Sequence, residues 1–186
     1  MRFSSREIKE IAISTVVLAF AFGGVDGFIS ALFAVGIAFM AHEILGHKMT
    51  AQRYGHFAEY RMWPQGLLLA IVFSFFGFVF AAPGAVYIAP YKGDFAFRVT
   101  QITKKEYGII SLAGPVVNIA LGIVFVVTSL WTGIPLFALA ARISFFLAMF
   151  NMIPFAPLDG QKVLSWNKGA WAGVMAASVM GYIFVL

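Results

Sequence analysis

The sequence contains no cysteine in 186 residues. That excludes disulfide frameworks, cysteine nucleophiles and thiolate metal sites. Any metal must therefore be held by His, Asp, Glu or water. Charge is scarce as well. Only 11% of the residues are Asp, Glu, Lys or Arg and 61% are hydrophobic, against about 25% and 45–50% in a soluble domain. An ordinary core cannot hide that much apolar surface, and the chain reads as an integral membrane protein. The net charge of +5 does not point to nucleic acid, because no polar segment interleaves basic residues with stacking aromatics. It is better read as a topology signal. A Gly-x-Ser-x-Gly motif is missing, and so is any pair of mid-span aspartates, which removes two further hydrolytic chemistries. No internal repeat or low-complexity linker divides the chain, so 1–186 is taken as a single domain.

Five apolar stretches, at about 11–24, 28–45, 109–131, 135–150 and 170–186, approach the ~20 residues a bilayer crossing needs. The first follows Arg2, Arg6 and Lys9 and precedes Ala19-Phe20-Ala21, a pattern shared with signal peptides. A second apolar stretch follows almost at once, so it is read as a span. A sixth run, 66–82, leads into Pro83-Gly84 and more apolar residues up to Pro90. Basic residues decide whether it crosses. With five crossings, Arg2, Arg6, Lys9, Lys48, Arg53, Arg61, Lys92, Arg98, Lys104, Lys105, Lys162 and Lys168 fall on one side, twelve of the thirteen. With six, the groups at 92–105 and 162–168 move outside, against the rule that Lys and Arg in short loops stay in the cytoplasm. The expectation is an all-α polytopic protein of the cell membrane, with about five transmembrane helices and a cytoplasmic N-terminus. Within an insert at about 57–103, the stretch 66–90 dips in or lies against the bundle. Within that insert 57–63, 85–89 and 95–103 suit short strands, forming a small membrane-associated sheet whose open edge accepts an extended peptide by strand addition.

Ionisable groups in or beside spans are costly and mark function by default. The segment Ala41-His42-Glu43-Ile44-Leu45-Gly46-His47-Lys48 closes the second span, Asn151 to Gly160 closes the fourth, and Arg142 lies mid-span. Two His beside a Glu at a helix end suit a hydrolytic zinc site, with imidazoles on the metal and the carboxylate taking a proton from water. A third protein ligand is normal, and Asp159 is the natural candidate, because five crossings put it on the same face as His42 and His47. Six crossings would separate them by about 30 Å. The spacing of the His pair is unusual. A zincin helix places its His at i and i+4. Here they stand at i and i+5, about 140° apart around a regular α-helix instead of about 40°. Three outcomes are open. A π-bulge absorbs the extra residue, Glu43 and His47 act as the helical ligands, or the chain binds no catalytic metal. Arg142 either lines the interior beside an acid or snorkels toward the interface. His56, beside Gly55, reads as a solvated residue in a polar turn, and Asp26 as the mark of the turn between the first two spans.

Taken together, these motifs resemble the site-2 protease family of intramembrane zinc metalloproteases, and specifically a compact prokaryotic member with an atypical His-Glu-x-x-x-His helix. His42-Glu43 through His47 resembles the family's His-Glu-x-x-His. Leu112 to Asn118 resembles its Ala-Gly-Pro-x-x-Asn segment, and Asn151 through Leu158-Asp159-Gly160 its terminal Leu-Asp-Gly motif. The resemblance implies catalytic-type helices at about 28–48, 109–131 and 135–160. It implies one Zn2+ held by His42, His47 and Asp159, Glu43 as general base, and Asn118 and Asn151 as substrate-positioning or supporting groups. The substrate would be a transmembrane protein cut near the cytoplasmic face, the other partner the lipid bilayer, and no nucleic acid is involved. The extra residue between Glu43 and His47 departs from the family pattern. Two rival readings follow: an inactive membrane-embedded relative that binds without cutting, and a small transporter. The transporter would need polar residues through several spans and symmetry between halves, neither of which the sequence has. The sequence contains no motif that sets an oligomeric state.

Overall fold

A computed structural model describes residues 3–90 and 101–185. Helix α1 (Ser5–Gly23) is capped by Ser4, whose hydroxyl accepts the Glu7 N–H at 3.0 Å. A short turn containing Asp26 leads to α2 (Phe28–Met40). That helix does not end at Met40. It runs on through a π-helical segment, Ala41–Lys48, into α3 (Met49–Arg53), making one rod of 26 residues, Phe28–Arg53. Gly55, at φ 78°, turns the chain into β1 (His56–Met62). Then come α4 (Pro64–Ser74), β2 (Gly84–Pro90), α5 (Lys104–Thr132), α6 (Pro135–Asn151), α7 (Asp159–Trp166) and α8 (Lys168–Phe184). Pro64 and Pro135 each open a helix, where a missing N–H costs nothing. A capping box between Thr103 and Glu106 starts α5.

The molecule is mostly helical, with one two-stranded sheet among the described residues. Strands β1 and β2 pair antiparallel, from His56↔Pro90 to Met62↔Gly84, and match the expected strands at 57–63 and 85–89. The third expected strand, 95–103, falls almost wholly outside the described residues, as do Lys92 and Arg98 in the charge count. Each of the five expected spans is helical. Two helices, Phe28–Arg53 and Lys104–Thr132, are long and apolar enough to cross a membrane, while Pro135–Asn151 and Pro64–Ser74 are shorter apolar helices.

The 66–82 run resolves into an 11-residue helix and an irregular return. At 1.5 Å per residue such a helix covers about 16 Å, roughly half a hydrocarbon core. Its two ends also meet. Met62 pairs with Gly84, and the Trp63 N–H donates to the Pro83 carbonyl at 2.7 Å. The chain therefore leaves the sheet and comes back to the same rung.

One apolar core joins α1, α2, α5 and α6 through Leu18, Val35, Phe39, Phe125, Ile143 and Leu147, and Tyr60 of β1 reaches into it. Beside this core the π segment packs on α5 with almost no clearance. A Cβ built on Gly46 would lie 2.5 Å from the Gly114 Cα and 2.7 Å from its nitrogen. Backbone cannot yield as a side-chain tip can, so Gly46→Ala should force the helices apart at roughly 1–3 kcal/mol. Thermal unfolding in detergent should place its midpoint several degrees below that of the native chain, whereas Gly173→Ala, with open space around its Cβ, should leave it unmoved.

Candidate metal centre

A π-helix closes its hydrogen bonds i→i+5, so residues five apart stack along one face. Ala41–Lys48 adopts that form, the first of the three outcomes the spacing left open. His42 and His47 thereby face the same side, their rings 4.6 Å apart and their Nε2 atoms 3.0 Å apart. Asp159, the first residue of α7, brings Oδ2 to 3.0 Å from His47 Nε2 and 3.5 Å from His42 Nε2. All three side chains are buried.

The carboxylate of Glu43 also stands within 4.8 Å of both imidazoles, so two trios compete as a donor set. Bonds of about 2.1 Å in a tetrahedron separate neighbouring donors by about 3.4 Å. The triangle of His42, His47 and Asp159, at 3.0, 3.0 and 3.5 Å, matches that separation. Three donors on one side leave a fourth position open, and two imidazoles with a carboxylate are a zinc-type set. Among the described residues, then, these side chains fit a zinc ion, with Glu43 set slightly back.

Helix α5 completes the centre from one face. Ile110, Gly114 and Asn118 are four residues apart and so lie in line. The Ile110 carbonyl accepts from His47 Nδ1 at 2.8 Å, which leaves the Nε2 lone pair pointing at Asp159. A Cβ at Gly114 would come 2.5 Å from His47 Nε2 and 2.7 Å from His42 Nε2, so the bare glycine makes room for both rings. Asn118, fully buried, stands 3.0 Å from His42 Nδ1. Turned so that its Oδ1 faces the ring, the amide accepts the Nδ1 proton and frees the opposite nitrogen for a metal. Pro115, inside the helix next to Gly114, removes one N–H from the ladder at this level.

Burial by itself would raise the Asp159 pKa. When no metal is bound and the imidazoles carry protons, the facing His47 charge and hydrogen bonds from His42 and His47 overcome it, holding the carboxyl well below the usual carboxylate range, with help from Lys162 at 3.5 Å. Glu43 is treated differently. The main-chain N–H of Val86 in β2 bonds its carboxylate, while Oε2 has no protein partner. A cavity of about 50 Å³ opens beside it, bordered by Ser111, Asn151, Leu158 and Lys162 as well as His47 and Asp159. A space of this size admits water. Asn151 thus borders the same cavity, with its Nδ2 donating to the Leu147 carbonyl at 2.9 Å.

Every residue singled out for the site in the sequence therefore lies around this one cavity or directly behind it. Other residues were placed less well. His56 is not solvated: it is buried, stacked on Tyr54 and 3.9 Å from Glu106, because β1 begins at that residue and turns it inward. Arg142 is exposed beside the Tyr182 ring at 5.9 Å, with no acid within ion-pair distance among the described residues. Reading the sequence missed the Ile110 carbonyl and Val86, since a main-chain group carries no residue signature, and it missed Lys162, although its place one turn after Asp159 was a usable signal.

A protein of Methanocaldococcus jannaschii named "Putative zinc metalloprotease" is 41% identical to this chain over 199 residues, covering 100% of the chain and 96% of that protein. No family model matches the chain, and no solved structure does.

Outer partners of a ligating imidazole typically contribute 10–100-fold in metal affinity. Asn118→Ala should therefore weaken zinc binding by about that factor in a competition titration with a chromophoric chelator. Asp159→Ala, which removes a donor of the trio, should weaken it more.

Proposed function

The chain belongs to the site-2 protease family of zinc metalloproteases, and from that premise we propose that it is a zinc-dependent endopeptidase acting on a transmembrane protein near the cytoplasmic face. The observation that carries this reading is the triangle of His42, His47 and Asp159 with the Glu43 carboxylate beside it on a water-sized cavity. His42, His47 and Asp159 hold the ion, which when bound supplies the Lewis acidity that acidifies water and polarises a peptide carbonyl. Glu43 is the general base. Its unpartnered Oε2 accepts a proton from water in the cavity and returns it to the leaving amine. Asn118 fixes the His42 ring, and Asn151 positions the substrate at the cavity wall.

The substrate path is read from β2. Its residues Ala85, Val86 and Ile88, with Tyr107 and Pro157, border both the cavity and an open groove of about 630 Å³ that runs out past Arg61 and Tyr87. An extended peptide added alongside β2 takes its hydrogen bonds from main chain and passes directly over Glu43. A transmembrane helix must unwind locally to do so.

The same reading places the protein in the cell membrane with five crossings, α1, α2 with the π segment, α5, α6 and α8, and a cytoplasmic N-terminus. Large apolar side chains on the outer faces support it: Ile29, Phe33, Val127, Leu130, Met180 and Phe184 are all more than half exposed, which water would penalise and lipid would not. The return of 64–83 to its own starting rung supports five rather than six. The inactive-relative reading drew its force from the extra residue in the His-Glu helix, and the π segment accommodates that residue.

Replacing the proposed base tests the reading. Glu43→Gln should retain zinc at native stoichiometry yet lose cleavage of a reporter transmembrane protein in proteoliposomes by about 100-fold or more. Undiminished cleavage in that variant, or no zinc in the native protein after loading, would sink it.

A further inference from the structure

The sheet has two outer edges: β2 gives the Val86 N–H to Glu43 and otherwise borders the open groove, while β1 is covered by α1. Along β1 the N–H groups of Tyr60 and Met62 point away from β2, and each meets a carboxylate of α1. Tyr60 donates to Glu7 Oε1 at 2.9 Å and Met62 to Glu10 Oε2 at 2.8 Å. The match is geometric. Residues 7 and 10 share one face of a helix, and residues 60 and 62 share one edge of a strand. Both carboxylates are held in place. Lys48 Nζ bonds Glu7 Oε2 at 2.5 Å with both side chains buried, and Arg6 Nε bonds Glu10 at 2.6 Å. Two more bonds fasten the same pair of elements: Ser4 Oγ to Glu59 Oε1 at 2.6 Å and Tyr60 Oη to Ser14 Oγ at 2.8 Å.

An open strand edge is a template for any extended chain, and burying or charging it removes the template. Glu7 and Glu10 do both, since they consume the donors and face incoming carbonyls with negative charge. Glu7 has a second connection. Its partner Lys48 directly follows His47 in the π segment, so one carboxylate ties the metal-site helix to the strand that carries the substrate-facing strand.

We propose that Glu7 and Glu10 are positioning residues that close the β1 edge and direct an extended peptide to β2, over Glu43. This rests on the strand-addition reading of the substrate path, and two separate measurements keep the proposals apart. The first is backbone hydrogen exchange of the full chain in detergent. In the native protein Tyr60 and Met62 should be as protected as Glu59 and Arg61, whose N–H groups face β2 by strand alternation. In Glu7→Ala/Glu10→Ala the first two should exchange at least about tenfold faster and the second two hold. Unchanged protection of Tyr60 and Met62 overturns the proposal. Glu10→Ala alone, which leaves the buried Lys48–Glu7 pair intact, should open Met62 only, and serves if the double variant loses the whole sheet.

The second measurement uses a benzophenone-bearing Val-Thr repeat peptide as a photocrosslinking probe, with labelled residues mapped by mass spectrometry. The native chain should be labelled on β2 alone and the double variant on both strands. Labelling of β1 in the native chain, or its absence in a variant whose β1 edge has opened, overturns the proposal. If exchange behaves as expected but native β2 takes no label, the strand-addition reading fails while the closure of β1 by α1 stands.

Discussion

Two imidazoles can share an ion only when they face the same way, and residues five apart on an α-helix do not. The rest of the centre depends on how the chain meets that constraint. It does so by widening the helix over Ala41–Lys48, the stretch that contains both His. A π-helix is the less favourable form and persists where surrounding packing over-determines it. Here the packing comes from α5, whose Gly114 backbone lies against Gly46 and both rings. The order of causes runs from the spacing of two His, to the helix type, to a glycine pair where the rods touch.

Helix α5 acts as a ruler for this arrangement. Its residues at 110, 114 and 118 present, in turn, a carbonyl, an empty space and an amide, each matched to one feature of the imidazole pair. On the opposite side the sheet presents β2 to Glu43, and α1 holds β1 by two carboxylates. The catalytic-type groups are thus fixed from two directions by elements that contribute none of them. Buried polar groups of this kind are expensive unless satisfied. Glu43 Oε2 is among the buried atoms left without a protein partner, and Glu43 lines the cavity where water would complete it.

Much of this was legible in the sequence, for reasons that can be stated. Apolar helices announce themselves by length and hydropathy, and two of them are long enough to cross a membrane. His42, Glu43, His47 and Asp159 stood out because charge in an apolar chain is rare. Other features were out of reach. The choice among three outcomes for the i,i+5 pair depends on a tertiary contact, Gly46 against Gly114, that no local pattern encodes. His56 was misjudged because a His after Gly looks like a turn, whereas strand alternation turned it inward. Nothing local to Glu7 and Glu10 in the sequence points beyond their own helix start. Only the fold reveals that they serve a strand some fifty residues away.

The meeting of Met62 with Gly84 gives the 64–83 segment a property of its own. A stretch that leaves and returns at one rung contributes an even number of passages through any plane it meets. Residues can be added to or removed from its tip without changing where the chain re-enters the sheet and hence where α5 begins. On the five-crossing topology proposed above, a crossing helix has no such freedom, since losing one would turn everything downstream over and carry Asp159 away from the His pair.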